Sequence, residues 1–170
     1  FEIPYGPLLD AGVKFYGALG NHDAREQRFY ELFNMKGELF YTFKAPKQDV
    51  RFFALESTYM QPEQIKWLEV ELQKAGENWK IVFFHHPIYS SGARHGSELD
   101  LQRVVEPLFL ENGVDVVFSG HEHFYERLKP QRGINYFTAG GSAKLRSGDI
   151  VGNSALTAKG FDTEQSFMLV

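Results

Sequence analysis

The stretch Ile81-Val82-Phe83-Phe84-His85-His86-Pro87 joins an apolar run to two histidines and a proline, and this arrangement decides the fold. A short apolar run bounded by polar residues predicts a buried strand, and the proline would end that strand and stiffen the loop after it. Two other runs are followed by polar loops in the same way. Val13 to Leu19 leads into Gly20-Asn21-His22-Asp23, and Val114 to Phe118 leads into Gly120-His121-Glu122-His123. Because the C-terminal ends of parallel strands lie along one edge of a sheet, the three loops are expected to converge on one site.

Regular patterns fill the intervals between these strands. Further strands are predicted at Leu39 to Phe43, Val50 to Leu55 and Ile134 to Thr138, the first two as a hairpin. Amphipathic helices are predicted at Ala24 to Phe33, Pro62 to Ala75 and Leu101 to Leu110, the last interrupted by Pro107. Residues 147–160 are predicted to form a loop, and residues 166–170 part of another strand. The alternation of strands and helices predicts one α/β domain over residues 1–170, in which helices flank a mostly parallel central sheet.

Composition and charge narrow the class of protein. A chain of 170 residues is long enough to bury one core, and the absence of cysteine excludes disulfides and thiolate chemistry. A net charge of -4 gives no broad basic field, so we expect no nucleic-acid partner, and a local cation must attract any anionic substrate. No stretch approaches the roughly 18 apolar residues of a membrane span. The chain begins at Phe1 rather than Met and stops within an apolar run, so we expect it to be truncated at both ends.

Histidines carry most of the functional information. Five of the six lie at or just after predicted strand ends: His22, His85, His86, His121 and His123. Imidazoles, together with an amide oxygen such as that of Asn21, are suitable ligands for zinc, manganese or iron. An alternative interpretation of the first loop is a turn in which Asn21 is left-handed and Asp23 caps the following helix. A lone histidine is more often structural than a ligand, but three such loops in this order favour a metal site.

The three motifs together resemble the signature of the calcineurin-like metallophosphoesterase superfamily. That signature runs D-x-H, G-D-x-x-[DY], G-N-H-[DE], H-x-P or HH, and G-H-x-H; the last three elements are present and the first two are absent. Gly120-His121-Glu122-His123-Phe124-Tyr125-Glu126-Arg127 is similar to the G-H-x-H-x-Y-E-R extension of purple acid phosphatases. His85-x-Pro87-x-Tyr89 followed by His95-Gly96 matches their substrate-side loop. The resemblance covers about Gly12 to Gly141 and implies a metallophosphatase-like β-sandwich, here without its N-terminal strands.

The resemblance also implies roles for individual residues. Four would bind two metal ions: Asn21, His85 and His121 at one, and His123 at the other. His22 would contact the phosphate and protonate the leaving group, with Asp23 holding its ring. His95 would be a second substrate-side imidazole. The aspartates that complete the family's metal site would precede Phe1.

Three further residues have less specific expectations. His86 would support its loop rather than bind metal. Tyr89 would line the substrate pocket or pack against other aromatic residues. Arg127 would either meet the substrate phosphate or pair with Glu126.

The resemblance implies metal-dependent hydrolysis of small-molecule phosphate esters, of the acid-phosphatase-like monoesterase type. Two divalent or trivalent ions, of Fe, Zn or Mn, would activate the attacking water. Two alternatives stay open: a cyclic-nucleotide phosphodiesterase or nuclease on the same fold, and a catalytically incompetent fragment or binding module. The lack of a basic surface counts against the nuclease, and the intact motifs count against the binding module. The resemblance implies a secreted or periplasmic location.

Overall fold

Seven strands form one mixed sheet in the computed structural model, which describes residues 1–151 and 154–170. In chain order they are β1 Tyr41–Lys44, β2 Val50–Ala54, β3 Trp79–Phe84, β4 Val116–Ser119, β5 Tyr125–Leu128, β6 Asn135–Ala139 and β7 Thr157–Phe161. The spatial order is β1-β2-β3-β4-β6-β5-β7. The four central strands, β2, β3, β4 and β6, are parallel to one another. β1, β5 and β7 pair antiparallel with their neighbours. The predicted α/β class, with a parallel centre and a hairpin of β1 and β2, is confirmed.

Two helices cover one face of this sheet. α1 is Glu2–Asp10, α2 is Pro62–Lys74 and α3 is Leu99–Glu111, and the last two match the predicted amphipathic segments. Leu68 and Leu72 of α2, with Val105 and Phe109 of α3, are fully buried in one core cluster that includes Val82 of β3. α3 continues through Pro107, at a cost of about 3 kcal/mol for an interior proline, because buried residues anchor it on both sides. In the described residues, no helix is both long and apolar enough to cross a bilayer.

The predicted strand at Val13 to Leu19 is wrong, since this segment has no strand pairing. Both sides of β3 are already occupied by β2 and β4. The segment instead packs by its aromatic and backbone groups: Tyr16 stacks on Phe43, with ring centroids 3.8 Å apart, and the Tyr41 hydroxyl donates to Gly17 O at 2.7 Å. An apolar run predicts burial and extended backbone, but it does not supply a ladder partner.

The predicted helix at Ala24 to Phe33 is also wrong. Two short 3-10 helices, Arg25–Phe29 and Glu31–Phe33, replace it, and Tyr30 between them has an extended backbone with ψ of 113°. The apolar residues of this segment do not pack together against one surface of the protein, since Phe29 remains 62% exposed.

The chain's second half contains further differences from the prediction. β5 was not predicted, and β7 replaces the end of the expected loop at 147–160, of which residues 152 and 153 lie outside the described part. Residues 166–170 contain no strand, and Phe167 and Leu169 are almost fully exposed. α1 was not predicted because it contains two prolines, Pro4 and Pro7.

Candidate metal centre

The loops after β3 and β4 lie side by side at one edge of the sheet. The two strands are parallel neighbours, and their last paired residues, Phe84 and Ser119, are opposite each other. A further backbone hydrogen bond, from Gly120 N to His85 O at 3.0 Å, continues the pairing beyond the strands. The sheet itself therefore fixes the spacing between the loops that carry His85 and His121.

Donor atoms from three loops meet at this edge. His85 Nε2 lies 3.0 Å from Asn21 Oδ1 and 3.0 Å from His121 Nδ1. Two ligands that are each about 2.1 Å from one ion, at a right angle, are about 3.0 Å apart. Gly20 permits this approach, because a Cβ at that position would lie 2.6 Å from the His85 ring. The structure thus assembles the three residues expected at one metal, and their role as ligands stays a prediction.

The electrostatic environment keeps these imidazoles neutral. Burial, reinforced by the neighbouring His86, lowers the pKa of His85 to about 4. Burial and the same neighbour lower the pKa of His121 to about 3. Neutral imidazole is the form that binds metal, so both rings are ready to bind an ion at neutral pH.

His121 is held in a strained backbone conformation. Its φ of 65° lies in the left-handed region, which costs a non-glycine residue about 1–3 kcal/mol. Strain of this kind concentrates at functional sites, where the surrounding structure enforces it. Here the conformation accompanies the placement of the His121 imidazole against His85.

His86 belongs to the same cluster, although the sequence suggested only a supporting role. One ring nitrogen from each of His85, His86 and His121 lies within 4.8 Å of the others. The His86 ring is fixed by Ser57, whose Oγ is 2.9 Å from His86 Nδ1 and also accepts a hydrogen bond from His86 N. Ser57 follows β2, at the same edge of the sheet, so its position after a strand was the available signal.

Two further imidazoles, those of His95 and His123, lie near this cluster. The His95 ring lies 4.3 Å from the His121 ring, measured between centroids. His123 Nδ1 is buried and has no hydrogen-bond partner among the described residues. Burial, with the nearby charges of Arg146 and Lys144, lowers the pKa of His123. A buried, neutral, unpartnered imidazole nitrogen fits a metal ligand, which supports a second ion.

The expectation that Asp23 holds the His22 ring stays a prediction, and the structure shows a different contact for its carboxylate. Asp23 Oδ2 accepts a hydrogen bond from Gly20 N at 2.8 Å, so the carboxylate closes the turn that carries Asn21. Asn21 itself is not left-handed. His22 is exposed at the rim of the cluster, where it is accessible to a ligand.

The expected contact of Tyr89 with substrate also stays a prediction, and the structure gives Tyr89 contacts within the fold. The Tyr89 hydroxyl donates to Glu106 of α3 at 2.5 Å, and its ring packs against Tyr136 of the core, with centroids 4.9 Å apart. Burial and the Glu106 contact raise its pKa to about 12. Aromatic packing, the other interpretation of Tyr89, therefore describes its environment.

The arrangement of motif residues agrees with a comparison to known families. The family model for calcineurin-like phosphoesterases matches residues 2–125, which contain all three histidine motifs. The chain belongs to the calcineurin-like phosphoesterase family.

Within this family the chain is similar to purple acid phosphatases. It is 35% identical over 133 residues to purple acid phosphatase 18 of Arabidopsis thaliana, which covers 75% of this chain and 28% of that protein. It is 39% identical over 103 residues to Fe(3+)-Zn(2+) purple acid phosphatase 12 of the same plant, which covers 58% of this chain and 22% of that protein. The structure of purple acid phosphatase PPD1 from yellow lupin shares the fold, with a TM-score of 0.66 and 18% identity over 76% of this chain and 27% of that one. This calcineurin-like chain thus spans about a quarter of the length of these curated relatives.

Three buried carboxylates that accept hydrogen bonds from the loop carrying His95 were not assigned to the site from the sequence: Glu122, Glu126 and Asp149. Glu126 shares one face of β5 with the buried Leu128, so a carboxylate occupies a position where an apolar side chain would be expected. Its carboxylate accepts hydrogen bonds from Ser91 and Thr157, so it does not pair with Arg127, which is exposed. Asp149 had no signal, since it lies in a stretch without periodicity.

Proposed function

We propose that this chain contributes the histidine-rich side of a dinuclear metal site that hydrolyses small phosphate monoesters. The observation that carries the proposal is the convergence of Asn21 Oδ1, His85 Nε2 and His121 Nδ1, with neighbouring donors 3.0 Å apart. Family membership and the similarity to purple acid phosphatases support the phosphoester substrate. The name of one relative, an Fe(3+)-Zn(2+) phosphatase, supports iron and zinc as the pair of metals.

The residues divide into a metal side and a substrate side. Asn21, His85 and His121 would hold one ion, with His86 adjacent, and His123 would contribute to the other. Metal ions in such a site supply positive charge for the phosphate oxygens and lower the pKa of a bound water. The four candidate ligands, Asn21, His85, His121 and His123, are neutral, so none of them offsets that positive charge.

His22 and His95 would act on the substrate. His22 lies next to Asn21 in sequence and is exposed, so it can reach a phosphate ester without being a ligand itself. It would donate a proton to the leaving oxygen, a contribution of about 10²–10⁴ in rate. His95, beside the His121 ring, would hydrogen-bond a phosphate oxygen and orient the ester.

The test is metal analysis and hydrolysis by the full-length protein. We expect the wild type to contain two metal ions per chain and to hydrolyse p-nitrophenyl phosphate faster than bis-p-nitrophenyl phosphate. Asn21→Ala should lose both metal and activity, whereas the control Asn135→Ala, at an exposed position on β6, should lose neither. Faster hydrolysis of the diester would favour a phosphodiesterase, and unchanged metal content in Asn21→Ala would contradict the proposal.

A further inference from the structure

The loop that carries His95, residues 90–97, has no helix or paired strand of its own beyond one isolated bridge at Gly92. Its shape is instead fixed by hydrogen bonds that six of its backbone amides donate. They run from Ser90 N to Ser97 Oγ, Ser91 N to Glu126 Oε2, Gly92 N to Ser90 Oγ, Ala93 N to Asp149 O, Arg94 N to Asp149 Oδ1 and Gly96 N to Glu122 Oε1. Three of these acceptors are carboxylates of buried residues from distant parts of the chain. We call residues 90–97 the His95 loop.

Glu122 is the member of this set closest to the chemistry. It lies between His121 and His123 and is completely buried. Burying a carboxylate costs several kcal/mol unless partners compensate it. Among the described residues its hydrogen-bond partner is Gly96 N, at 2.9 Å, and Arg146 contributes a more distant charge at 3.9 Å. The hydrogen bond to this buried carboxylate therefore comes from Gly96, the residue that follows His95.

The His95 loop also packs directly on the Glu122 side chain. A Cβ at Gly92 would lie 2.2 Å from Glu122 Oε1, so the loop backbone and the carboxylate are in direct contact there. Glu122 thus touches the loop at Gly92 and at Gly96, on both sides of His95.

The contacts of Glu122 link the loop that contains His121 and His123 to the His95 loop. The proposed reaction requires these two loops to keep a fixed position relative to each other. The residue that separates two candidate ligands, His121 and His123, also fixes the backbone next to His95, whose ring is 4.3 Å from that of His121. A displacement of about 1 Å in a substrate-positioning group can cost about 10²-fold in rate. We propose that Glu122 is a positioning residue that holds His95 in register with the metal loop. The inference rests on the proposed function.

The first test needs no activity. Amide hydrogen exchange is measured on the full-length, metal-free protein for the wild type, Glu122→Gln, which keeps an acceptor oxygen, and Glu122→Met, which has a similar length and no acceptor. We expect Gly96 to exchange at least about tenfold faster in Glu122→Met, as loss of a hydrogen bond of about 1.4 kcal/mol implies, and to stay near the wild-type rate in Glu122→Gln. Ser91, bound by Glu126, should not change. Unchanged exchange at Gly96 in Glu122→Met would overturn the inference. If Glu122→Met does not fold, Glu122→Asp, which withdraws the carboxylate by one methylene, takes its place.

The second test is a double-mutant cycle in the metal-loaded protein. Glu122→Met should lower kcat/KM by about 10–100-fold in the wild-type background and by less than about threefold in a His95→Ala background, because it acts through His95. Metal content should stay constant. Glu71→Gln, at a carboxylate paired with Arg51 in another part of the fold, is the control and should change neither activity nor Gly96 exchange. Equal losses in both backgrounds would overturn the inference. If the wild type shows no hydrolysis, the proposed function fails while the exchange test still decides the contact.

Discussion

Lowering the pH from 7 to 5 should destabilise the metal-free protein, because the fold keeps His85 and His121 neutral. In the unfolded chain both rings have the ordinary histidine pKa, about 6.5. In the folded protein burial lowers the pKa to about 4 for His85 and to about 3 for His121. Below pH 6.5 the unfolded chain therefore binds protons that the folded chain does not, and stability falls as the pH falls. Above pH 6.5 both states are neutral and this contribution is constant.

The magnitude follows from these values. Integrating the difference in proton binding down to pH 5 gives about 2 kcal/mol for each isolated ring. Solvent screens both rings, since neither is fully buried, and their mutual repulsion enters both pKa values. We therefore expect the pair to contribute about 1–2 kcal/mol. With a urea m-value of about 2 kcal/mol per molar, the unfolding midpoint should fall by about 0.5–1 M.

The assay is urea unfolding of the chelator-treated, full-length protein at pH 7, 6 and 5, followed by circular dichroism. A variant with both His85→Asn and His121→Asn should show a smaller decrease than the wild type. Some slope will remain, because burial also lowers the pKa of His86 and His123. A midpoint that stays constant or rises on acidification would refute the reasoning. So would an equal decrease in the double variant.

Two other predictions concern the first motif loop. His22→Ala should lower kcat by about 10²–10⁴-fold and leave metal content unchanged, since His22 is exposed and outside the donor cluster. Elemental analysis measures the metal content. Loss of metal along with activity would make His22 a ligand instead. Gly20→Ala should weaken metal binding by about 10–100-fold, because its Cβ would displace the His85 ring. Titration calorimetry measures the affinity for metal. Gly6→Ala is the control, since a Cβ at that position meets no atom within 4 Å.

Periodicity predicted the elements that bury a continuous apolar face. α2, α3 and β3 each have such a face, and each packs into the same core cluster. The prediction of strands failed where the apolar pattern of a segment does not correspond to its hydrogen bonding in the sheet. Val13 to Leu19 is apolar enough for a strand but finds no ladder partner in the sheet, and β5 was missed because a carboxylate occupies a core position.

The same division holds within the candidate site. Asn21, His85 and His121 were identifiable because each follows an apolar run. The sheet brings together the strand ends that precede His85 and His121, whereas Asn21 reaches His85 from a segment that is not part of the sheet. The residues that fix the surrounding loops were harder to identify, because Ser57 and Asp149 act across 29 and 55 residues of sequence, on His86 and Arg94 respectively. The place of Ser57 after β2 was the one available signal. No local pattern records such contacts.

The least predictable features of the site are also those that local rules disfavour. His121 has a left-handed backbone, and Glu122 and Glu126 are completely buried carboxylates. Each would destabilise an isolated segment, and the two carboxylates are held by contacts from distant parts of the chain: Gly96 N donates to Glu122, and Ser91 and Thr157 donate to Glu126. Sequences are expected to break local rules where function requires a particular geometry. The energetic cost at this sheet edge therefore supports a site that positions imidazoles accurately, because packing alone could have been achieved with apolar residues.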